Sequence, residues 1–413
     1  MSRDVSLVLL LWCCWIPVPV KAVTLEAFVT GAQNDPLLDH HRRVESSLAT
    51  LEPGGPLEKV EVRSETDRFE LSRQRYALRF YPKGWGEASA YKDLLSNERK
   101  VLSVERDTLF LRALHERYLL ALDVLETERL TSLYGELVVL EQDRTTLFEQ
   151  LLRLDDNARV TDLIEAESDL NKARLDHHRQ TLRKEELLVQ LREYLPAGET
   201  LDLDESLLLE VEDLSANLHD LSADVSRVPP RLALATLRSA EAQASYRYEL
   251  ASDRDFLSFF QLQYDSQDHE DLGAAVSLSL SVRLPLVGGN GEKASRRWIE
   301  YLDKEFDETV TRRNYSKEVQ RERIGLQRSI DQYLLLQESF RSGRATNAYS
   351  TYQAAEGTDP AVLLTLKRAT LVQKVRLIEQ RFEILARYLS LLEKLGHLAR
   401  LPLRNLLARG ARP

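Results

Sequence analysis

Residues 274–285 read AAVSLSLSVRLP, and they give the clearest indication of the fold. Every second side chain in them is apolar, and those between are small or polar: Ala274, Val276, Leu278, Leu280, Val282 and Leu284 against Ala275, Ser277, Ser279, Ser281, Arg283 and Pro285. This period of two predicts a β-strand with one apolar face and one small or polar face. Such a strand is typical of a membrane β-barrel with lipid outside and water inside.

Two β-hairpins are predicted from patterns of this kind. Phe260, Leu262 and Tyr264 alternate with glutamines, and the polar run DSQDHED that follows is a turn, which gives a hairpin at about 256–286. Another hairpin, at about 59–81, is indicated by apolar residues at strand spacing: Val60, Val62, Phe69, Leu71, Tyr76, Leu78 and Phe80. Charged side chains crowd this second pattern: Arg63, Asp67, Arg68, Glu70, Arg73, Arg75 and Arg79.

Heptad spacing predicts two long helical hairpins. On a helix from about Glu87 to Leu154, leucines step by three, four or seven along one face: Leu130, Leu133, Leu137, Leu140, Leu147, Leu151 and Leu154. The polar break DDNAR separates this helix from a return helix at about 158–195, so the two are antiparallel. In the second hairpin, a helix at about 292–354 ends at EGTDP. Asp359 then caps a helix that runs from Pro360 to about 395.

The two halves of the chain have the same order of elements. In each, a proline-led helix, a β-hairpin and a long helical hairpin follow one another, and glycines in GWGEAS and GNGEKAS stand where strand turns into helix. The predicted fold class is mainly α with a β-barrel part, built from two internal repeats. Its predicted divisions are a first repeat at 23–198, a connecting acidic segment at 199–228, a second repeat at 229–396 and a basic C-terminal tail at 397–413.

The first 22 residues predict a signal peptide. Arg3 precedes the apolar run VSLVLLLWCCWIPV, and Val20, Lys21 and Ala22 end it with small residues at the positions that signal peptidase reads. The mature chain is expected to begin at Val23 and to contain no cysteine, because Cys13 and Cys14 leave with the signal. An uncleaved anchor is disfavoured, since the run falls short of the roughly 20 residues that a spanning helix needs.

Composition and motifs exclude several function classes. The 413 residues carry 56 basic and 66 acidic side chains, and a formal charge of −10 argues against nucleic acid as a partner. His40 and His41, like His177 and His178, are adjacent in sequence, so they do not make the one-face pair of a helical zinc site. No catalytic residue, cofactor site or metal site is predicted, and the chain is not expected to be an enzyme.

The sequence resembles the TolC-like outer-membrane efflux proteins. The resemblance is carried by the duplicated order of hairpins, by SLSLSVRLPLVGGNGEKAS at 277–295 and by NARVTDLIEAESDLNKARLDHH at 157–178. It implies a homotrimer in which each chain gives four strands to one barrel in the outer membrane of a Gram-negative bacterium. The helices would form a periplasmic tunnel that docks with a periplasmic adaptor and an inner-membrane pump and passes drugs or polypeptides.

The resemblance also points to the helical tips as the place of a pore or gate. The candidates are Asp155, Asp156, Asp162 and Glu165 at the first tip and Tyr352 and Asp359 at the second. Asp162 matches the threonine–aspartate pair of the family, whereas Leu363 and Leu366 stand where the relatives have the acids of a selectivity ring. The simpler interpretation is that the acids cap helices or face solvent, and that Tyr352, with Tyr349, only packs.

Two functions therefore remain open from the sequence. The first is the channel-tunnel component of a tripartite efflux or type I secretion system, a passive duct for small molecules or polypeptides. The alternative is a periplasmic coiled-coil scaffold or adaptor that conducts nothing. The alternation at 274–285 favours the duct, and the charges at 59–81 favour the scaffold.

Overall fold

A computed structural model describes residues 21–52, 54–66, 74–154, 160–196, 198–223, 228–253, 256–265, 275–282, 291–342, 359–401 and 403–409. The chain is mainly helical and has some β-sheet. The helices are α1 (Leu25–Thr30), α2 (Pro36–Ala49), α3 (Glu87–Leu154), α4 (Val160–Tyr194), α5 (Val211–Ala223), α6 (Pro230–Ser252), α7 (Gly291–Ser342) and α8 (Pro360–Leu395). The strands are β1 (Lys21–Thr24), β2 (Leu57–Thr66), β3 (Gln74–Pro82), β4 (Glu199–Asp202), β5 (Leu257–Asp265) and β6 (Val276–Val282).

Most helix and strand bounds agree with those expected from the sequence. The long first helix has the predicted ends, Glu87 and Leu154, and spans 68 residues. Asp359 caps α8 by accepting a hydrogen bond from the Ala361 backbone N–H at 2.9 Å, as the Asp-Pro pair predicts. Helix α7 is described as far as Ser342, so the end that was expected near residue 354 lies outside the described residues.

The two predicted β-hairpins join into one antiparallel sheet. Its strand order is β2-β3-β5-β6, so the inner strand of the first hairpin pairs with the inner strand of the second. The register sets Leu78 opposite Leu262 and Phe80 opposite Phe260. The turn residues between the strands of each hairpin lie outside the described residues, and with them Phe69 and Leu71. A four-stranded sheet built from both halves of the chain is consistent with the predicted repeat.

Glycines shape the junction from β3 into α3. A Cβ atom on Gly84 would lie 2.3 Å from the backbone oxygen of Ala251, so no larger residue fits there. Gly86 has a φ of +81°, a conformation that L side chains rarely adopt. Glu87 closes the junction, because its carboxylate accepts a hydrogen bond from the Gly84 N–H at 2.8 Å. The glycines in GWGEAS therefore have the backbone role that the sequence predicts.

The described residues fall into two compact units. The first takes them from Met1–Asp35, Phe110–Arg227 and Val319–Pro413. Its core contains the fully buried Tyr118, Leu385 and Leu389. Within it β1 pairs with β4 in parallel, and the residues between α4 and α6 include the short helix α5. A cleavage after Ala22 would leave Val23 and Thr24 of β1 on the mature chain.

The segment after α8, named from its sequence as a basic tail, packs against the first unit. The backbone N–H of Leu406 donates to the Tyr118 hydroxyl at 3.2 Å, and that hydroxyl donates to the Arg404 carbonyl at 3.1 Å. Leu407 is fully buried, and its carbonyl accepts a hydrogen bond from Leu209 at 2.7 Å. The leucines of this segment therefore contribute to the core, although the basic character of its sequence comes from four arginines and no acid.

The second unit takes its residues from Pro36–Leu109 and Val228–Glu318 and contains the four-stranded sheet. Here the first part of α3 packs beside α6, with Arg238 bound to Glu105 at 2.8 Å. Helix α6 in turn contacts α7 through an ion pair between Arg231 and Glu318 at 2.9 Å. Across the described helices of both units, none combines the length and the apolar character needed to cross a membrane.

Candidate functional site

The four-stranded sheet separates its side chains by polarity. The paired positions of the register place on one face Val60, Val62, Tyr76, Leu78, Phe80, Phe260, Leu262, Tyr264, Val276, Leu278 and Leu280. We call this the apolar face. Leu278 is 74% exposed and Leu280 64% exposed. Large apolar side chains rarely remain this exposed over a contiguous surface unless a membrane or another protein covers them.

The opposite face, the polar face, carries most of the charged and amide side chains of the same strands, together with Tyr81 and Phe259. It includes Lys59, Glu61, Arg63, Arg75, Arg79, Gln261, Gln263, Asp265, Ser277, Ser279 and Ser281. Ion pairs join Lys59 to Glu61 at 2.8 Å and Arg75 to Asp265 at 2.8 Å. The charges that disturb the sequence pattern at 59–81 therefore occupy one side of the sheet, at least where the structure describes them.

Both outer strands of this sheet have an unpaired edge. Strands β2 and β6 each have one neighbour among the strands that the structure describes, because the order ends at them. An unpaired edge offers a row of backbone N–H and C=O groups that bind readily to another strand. Four strands also do not close a barrel by themselves, since small closed barrels need about eight.

The predicted gate residues are described only in part. Asp155, Asp156, Tyr349 and Tyr352 lie outside the described residues. Asp162 is half-buried in the first turn of α4, and the Thr161 hydroxyl approaches its carboxylate at 3.4 Å. Glu165 is exposed one turn further along α4. Asp359 is the N-cap of α8, as the simpler interpretation of the sequence predicts for this acid. A role in gating remains a prediction for all six candidates.

The start of α8 lies beside the end of α3. A cavity of about 400 Å³ between them is lined by Asp143, Thr146, Leu147 and Gln150 of α3 and by Pro360, Leu363 and Leu364 of α8. Leu363 is half-buried against α3. The final turns of α3 and the first turn of α8 thus lie together within the first unit.

A cyclic set of ion pairs joins α3, α4 and α8 next to this cavity. Arg144 of α3 contacts Glu141 of the same helix at 3.3 Å and Asp169 of α4 at 2.8 Å. Arg368 of α8 completes the cycle, at 2.5 Å from Glu141 and 2.8 Å from Asp169. We call these four residues the ion-pair ring. The Glu141 side chain is only 1% exposed, so the two arginines rather than water contact its carboxylate.

The environment of Arg144 is consistent with a stable charge. Burial disfavours the guanidinium, but the hydrogen bond from Arg144 to Asp169 and the nearby Glu141 outweigh it and raise the pKa of Arg144 above its ordinary value. Leu137, Leu140, Ala173 and Leu371 form a small buried cluster of their own. The ion-pair ring therefore binds α3, α4 and α8 together through charges in a region that has few core residues.

The sequence contains a signal for this ring that the heptad analysis missed. Continuing the leucine spacing on α3 between Leu140 and Leu147 places Arg144 at a seam position. On α8 the corresponding step after Leu364 places Arg368 at a seam position ahead of Leu371. Charged residues at heptad core positions indicate buried partners, but the partner of each cannot be identified from spacing alone.

Comparison with solved structures identifies the fold of this chain. The outer membrane channel CmeC of Campylobacter jejuni superposes with a TM-score of 0.63 at 12% identity, over 90% of this chain and 85% of that one. The chain has the TolC-like fold. MtrE, an outer membrane channel of Neisseria gonorrhoeae in its open state, superposes with a TM-score of 0.62 at 13% identity, over 90% and 88% of the two chains.

A third TolC-like structure gives the same result. The outer membrane protein VceC of Vibrio cholerae superposes with a TM-score of 0.62 at 11% identity, over 90% of this chain and 96% of that one. No family model matches the sequence, and no curated protein does. The resemblance stated from the sequence is confirmed for the fold, and these TolC-like neighbours are channels and not enzymes.

Proposed function

We propose that this chain is the outer-membrane channel-tunnel component of an export system, a passive duct for small molecules or polypeptides. Three copies would each give four strands to one closed barrel and their helices to a periplasmic tunnel. The tunnel would meet a periplasmic adaptor and an inner-membrane pump at the helical tips. The observation that carries the proposal is the division of the sheet into an apolar face and a polar face.

The division of the sheet fits a barrel wall better than any soluble surface. In a barrel, lipid covers the apolar face and water fills the lumen on the polar face. Leu278 and Leu280 then need no protein cover, and the charges of the first hairpin remain in water. As a sequence pattern, the charges at 59–81 favour a scaffold. Because the described ones lie together on the polar face, they are also compatible with a barrel. The scaffold is therefore the less favoured alternative.

Association of identical chains would cover two further exposed surfaces, the strand edges of the sheet and an apolar stripe on α4. The free edges of β2 and β6 can pair with each other only between copies, which makes a cyclic assembly possible. Helix α4 also exposes an apolar stripe at a strict seven-residue interval, with Leu175 at 56%, Leu182 at 51% and Val189 at 57%. Such a stripe is typical of a helix that packs against a neighbouring helix.

We expect the mature chain to fractionate with the outer membrane as a trimer that resists detergent and dissociates on heating. The reason is that strand pairing around a closed barrel satisfies every backbone group. The measurement is the gel mobility of membrane fractions before and after boiling. Recovery of the protein as a soluble monomer after osmotic shock would contradict the proposal and favour the scaffold.

We further propose that acids at the helical tips form the entrance of the duct, with Asp162 as the principal pore-lining residue. Three copies of an acid near an aqueous opening favour cations and repel anions. Asp162→Asn is therefore expected to lower the preference for potassium over chloride by about threefold while leaving the yield of trimer unchanged. Reversal potentials of single channels in a salt gradient measure this preference.

A matched variant distinguishes charge at the pore from packing. Leu163, the next residue of α4, belongs to the heptad pattern, so Leu163→Asp should reduce trimer yield by placing a charge between helices. If Asp162→Asn conducts with unaltered selectivity, Asp162 only stabilises the start of α4. Asp359 would then be the next candidate to test.

A further inference from the structure

One cation on the polar face differs from the others in its partners. Arg79 donates two hydrogen bonds to Oε1 of Gln261, from Nε at 2.9 Å and from Nη2 at 2.6 Å. Its guanidinium also stacks over the ring of Phe259, at 4.0 Å from the centroid. Gln261 is itself held in place, because its Nε2 donates to Gln263 at 2.9 Å and only 9% of the residue is exposed. Neutral groups thus fix Arg79 in position.

The nearest acid does not compensate this charge. Glu61 lies directly across from Arg79 in the strand register, but its carboxylate binds Lys59 at 2.8 Å and Arg63 at 3.2 Å. It also accepts a hydrogen bond from the Tyr81 hydroxyl at 2.8 Å. Three cations therefore surround one carboxylate. We call Lys59, Glu61, Arg63, Arg79 and Gln261 the Arg79 cluster.

The other charges on this face lie towards the far end of the strands. Arg75 is bound to Asp265 at 2.8 Å, and Glu65 stands opposite Arg75 in the register. Among the residues that the structure describes, one cation is thus set against two acids there. The Arg79 cluster occupies the end of the sheet from which β3 continues to α3, so the described part of the polar face has its positive charge concentrated at this helical end.

We propose that the Arg79 cluster makes this part of the duct selective for anions, and that the cargo includes small molecules bearing a carboxylate or a phosphate. The inference rests on the proposed function, in which the polar face lines the lumen. Gln261 accepts hydrogen bonds from Nε and from one N–H of Nη2. At the edge formed by Nη1 and the other N–H of Nη2, the described residues make only a long contact, from Nη1 to the Tyr81 hydroxyl at 3.4 Å. That edge fits an oxyanion, which a guanidinium binds with two parallel hydrogen bonds.

Two variants test the proposal in the full-length protein by removing one unit of charge in different ways. Arg79→Gln deletes the cation, and Gln261→Glu keeps it but places a carboxylate against it. Each is expected to lower the permeability of chloride relative to potassium by about threefold, because three copies of the charge act on each ion in the lumen. The readout is the single-channel reversal potential in a potassium chloride gradient. Inorganic phosphate should also reduce the current of the wild type more than that of either variant.

Control variants distinguish an effect of charge on ion selectivity from an effect on assembly of the trimer. Arg79→Lys keeps the charge and should retain the chloride preference. It lacks the planar guanidinium, whose two parallel N–H groups would bind phosphate. The double variant Arg75→Gln with Asp265→Asn removes a compensated pair from the same face and should leave selectivity unaltered. Gel mobility of the unboiled protein reports whether each variant still forms the trimer.

The possible outcomes distinguish this inference from the function on which it rests. Channels that conduct with the same selectivity in Arg79→Gln and Gln261→Glu would overturn the anion filter and leave the duct intact. A wild-type protein that assembles and conducts no ions would overturn both. Asp162→Asn removes a negative charge and is expected to shift selectivity towards anions, whereas the two sheet variants should shift it towards cations, so the sign of the shift should follow the sign of the altered charge.

Discussion

Arg368→Met is expected to lower the free energy of unfolding of the protein by about 3 kcal/mol, at the lower end of the cost of leaving a buried charge without its partner. Glu141 loses its contact at 2.5 Å and retains only Arg144 at 3.3 Å, while its side chain stays 1% exposed. Asp169 loses one of its two arginines as well. Denaturant unfolding of the purified protein in detergent, followed by its helical circular dichroism, measures the loss.

A double variant shows whether the loss comes from unpaired charge. Removing Glu141 and Arg368 together, as Glu141→Leu with Arg368→Met, leaves Arg144 and Asp169 as a complete pair at 2.8 Å. This double variant should therefore be more stable than Arg368→Met alone, because apolar replacement of a whole buried pair is often neutral. The exposed Arg376 on the same helix is the matched control, and Arg376→Met should change stability by no more than about 0.5 kcal/mol. Equal losses for Arg368→Met and the control would mean that the ion-pair ring contributes nothing.

Leu280→Arg is expected to destabilise the assembled protein by about 2 to 4 kcal/mol if residue 280 lies near the middle of the bilayer. The physical reason is the transfer of a charge from water to lipid on the apolar face, where Leu280 pairs with Phe260 in the register. The measurement is the temperature at which the trimer dissociates in detergent, together with the amount of trimer recovered from membranes.

Ser279 provides the matched control, because it is the neighbouring residue on the same strand and lies on the polar face opposite Gln261. Ser279→Arg should leave trimer yield unchanged and alter conductance instead, since its side chain would remain in water. If both arginine variants reduce the yield equally, the alternation from Val276 to Val282 does not separate lipid from lumen. The proposed barrel would then have to be abandoned.

Local patterns in the sequence were sufficient for the long helices and for the strands of the two hairpins, but not for β1, β4 and α5. The bounds of α3 at Glu87 and Leu154 follow from a proline-free heptad run that begins after a glycine junction and ends at a polar break. The start of α8 follows from Asp359 and Pro360, because a cap and a missing N–H act within one turn. The alternation along β6 is likewise a property of consecutive residues. Each of these signals is short in range, so the sequence alone contains it.

The tertiary structure decided which distant residues share a surface. Residues 59–81 could not be assigned to lipid or water from their own sequence, because charged and apolar side chains are mixed along them. The pairing of β3 with β5, which joins Arg75 to Asp265, sets the charges on one face and the apolar residues on the other. A register shift of one residue would reverse the two faces, and only the contacts between strands determine it.

The ion-pair ring depended on the tertiary structure for the same reason. Heptad spacing marks Arg144 and Arg368 as charges in seam positions, but it does not identify the acids that they meet. Arg368 reaches Glu141 across 227 positions of sequence. That contact exists because α8 packs beside α3, and helix packing depends on the fit of whole helix surfaces rather than on any local pattern. The sequence by itself therefore determined the long helices, the strands of the two hairpins and the junction from β3 into α3, and the packing of distant segments determined the faces of the sheet and the buried charges.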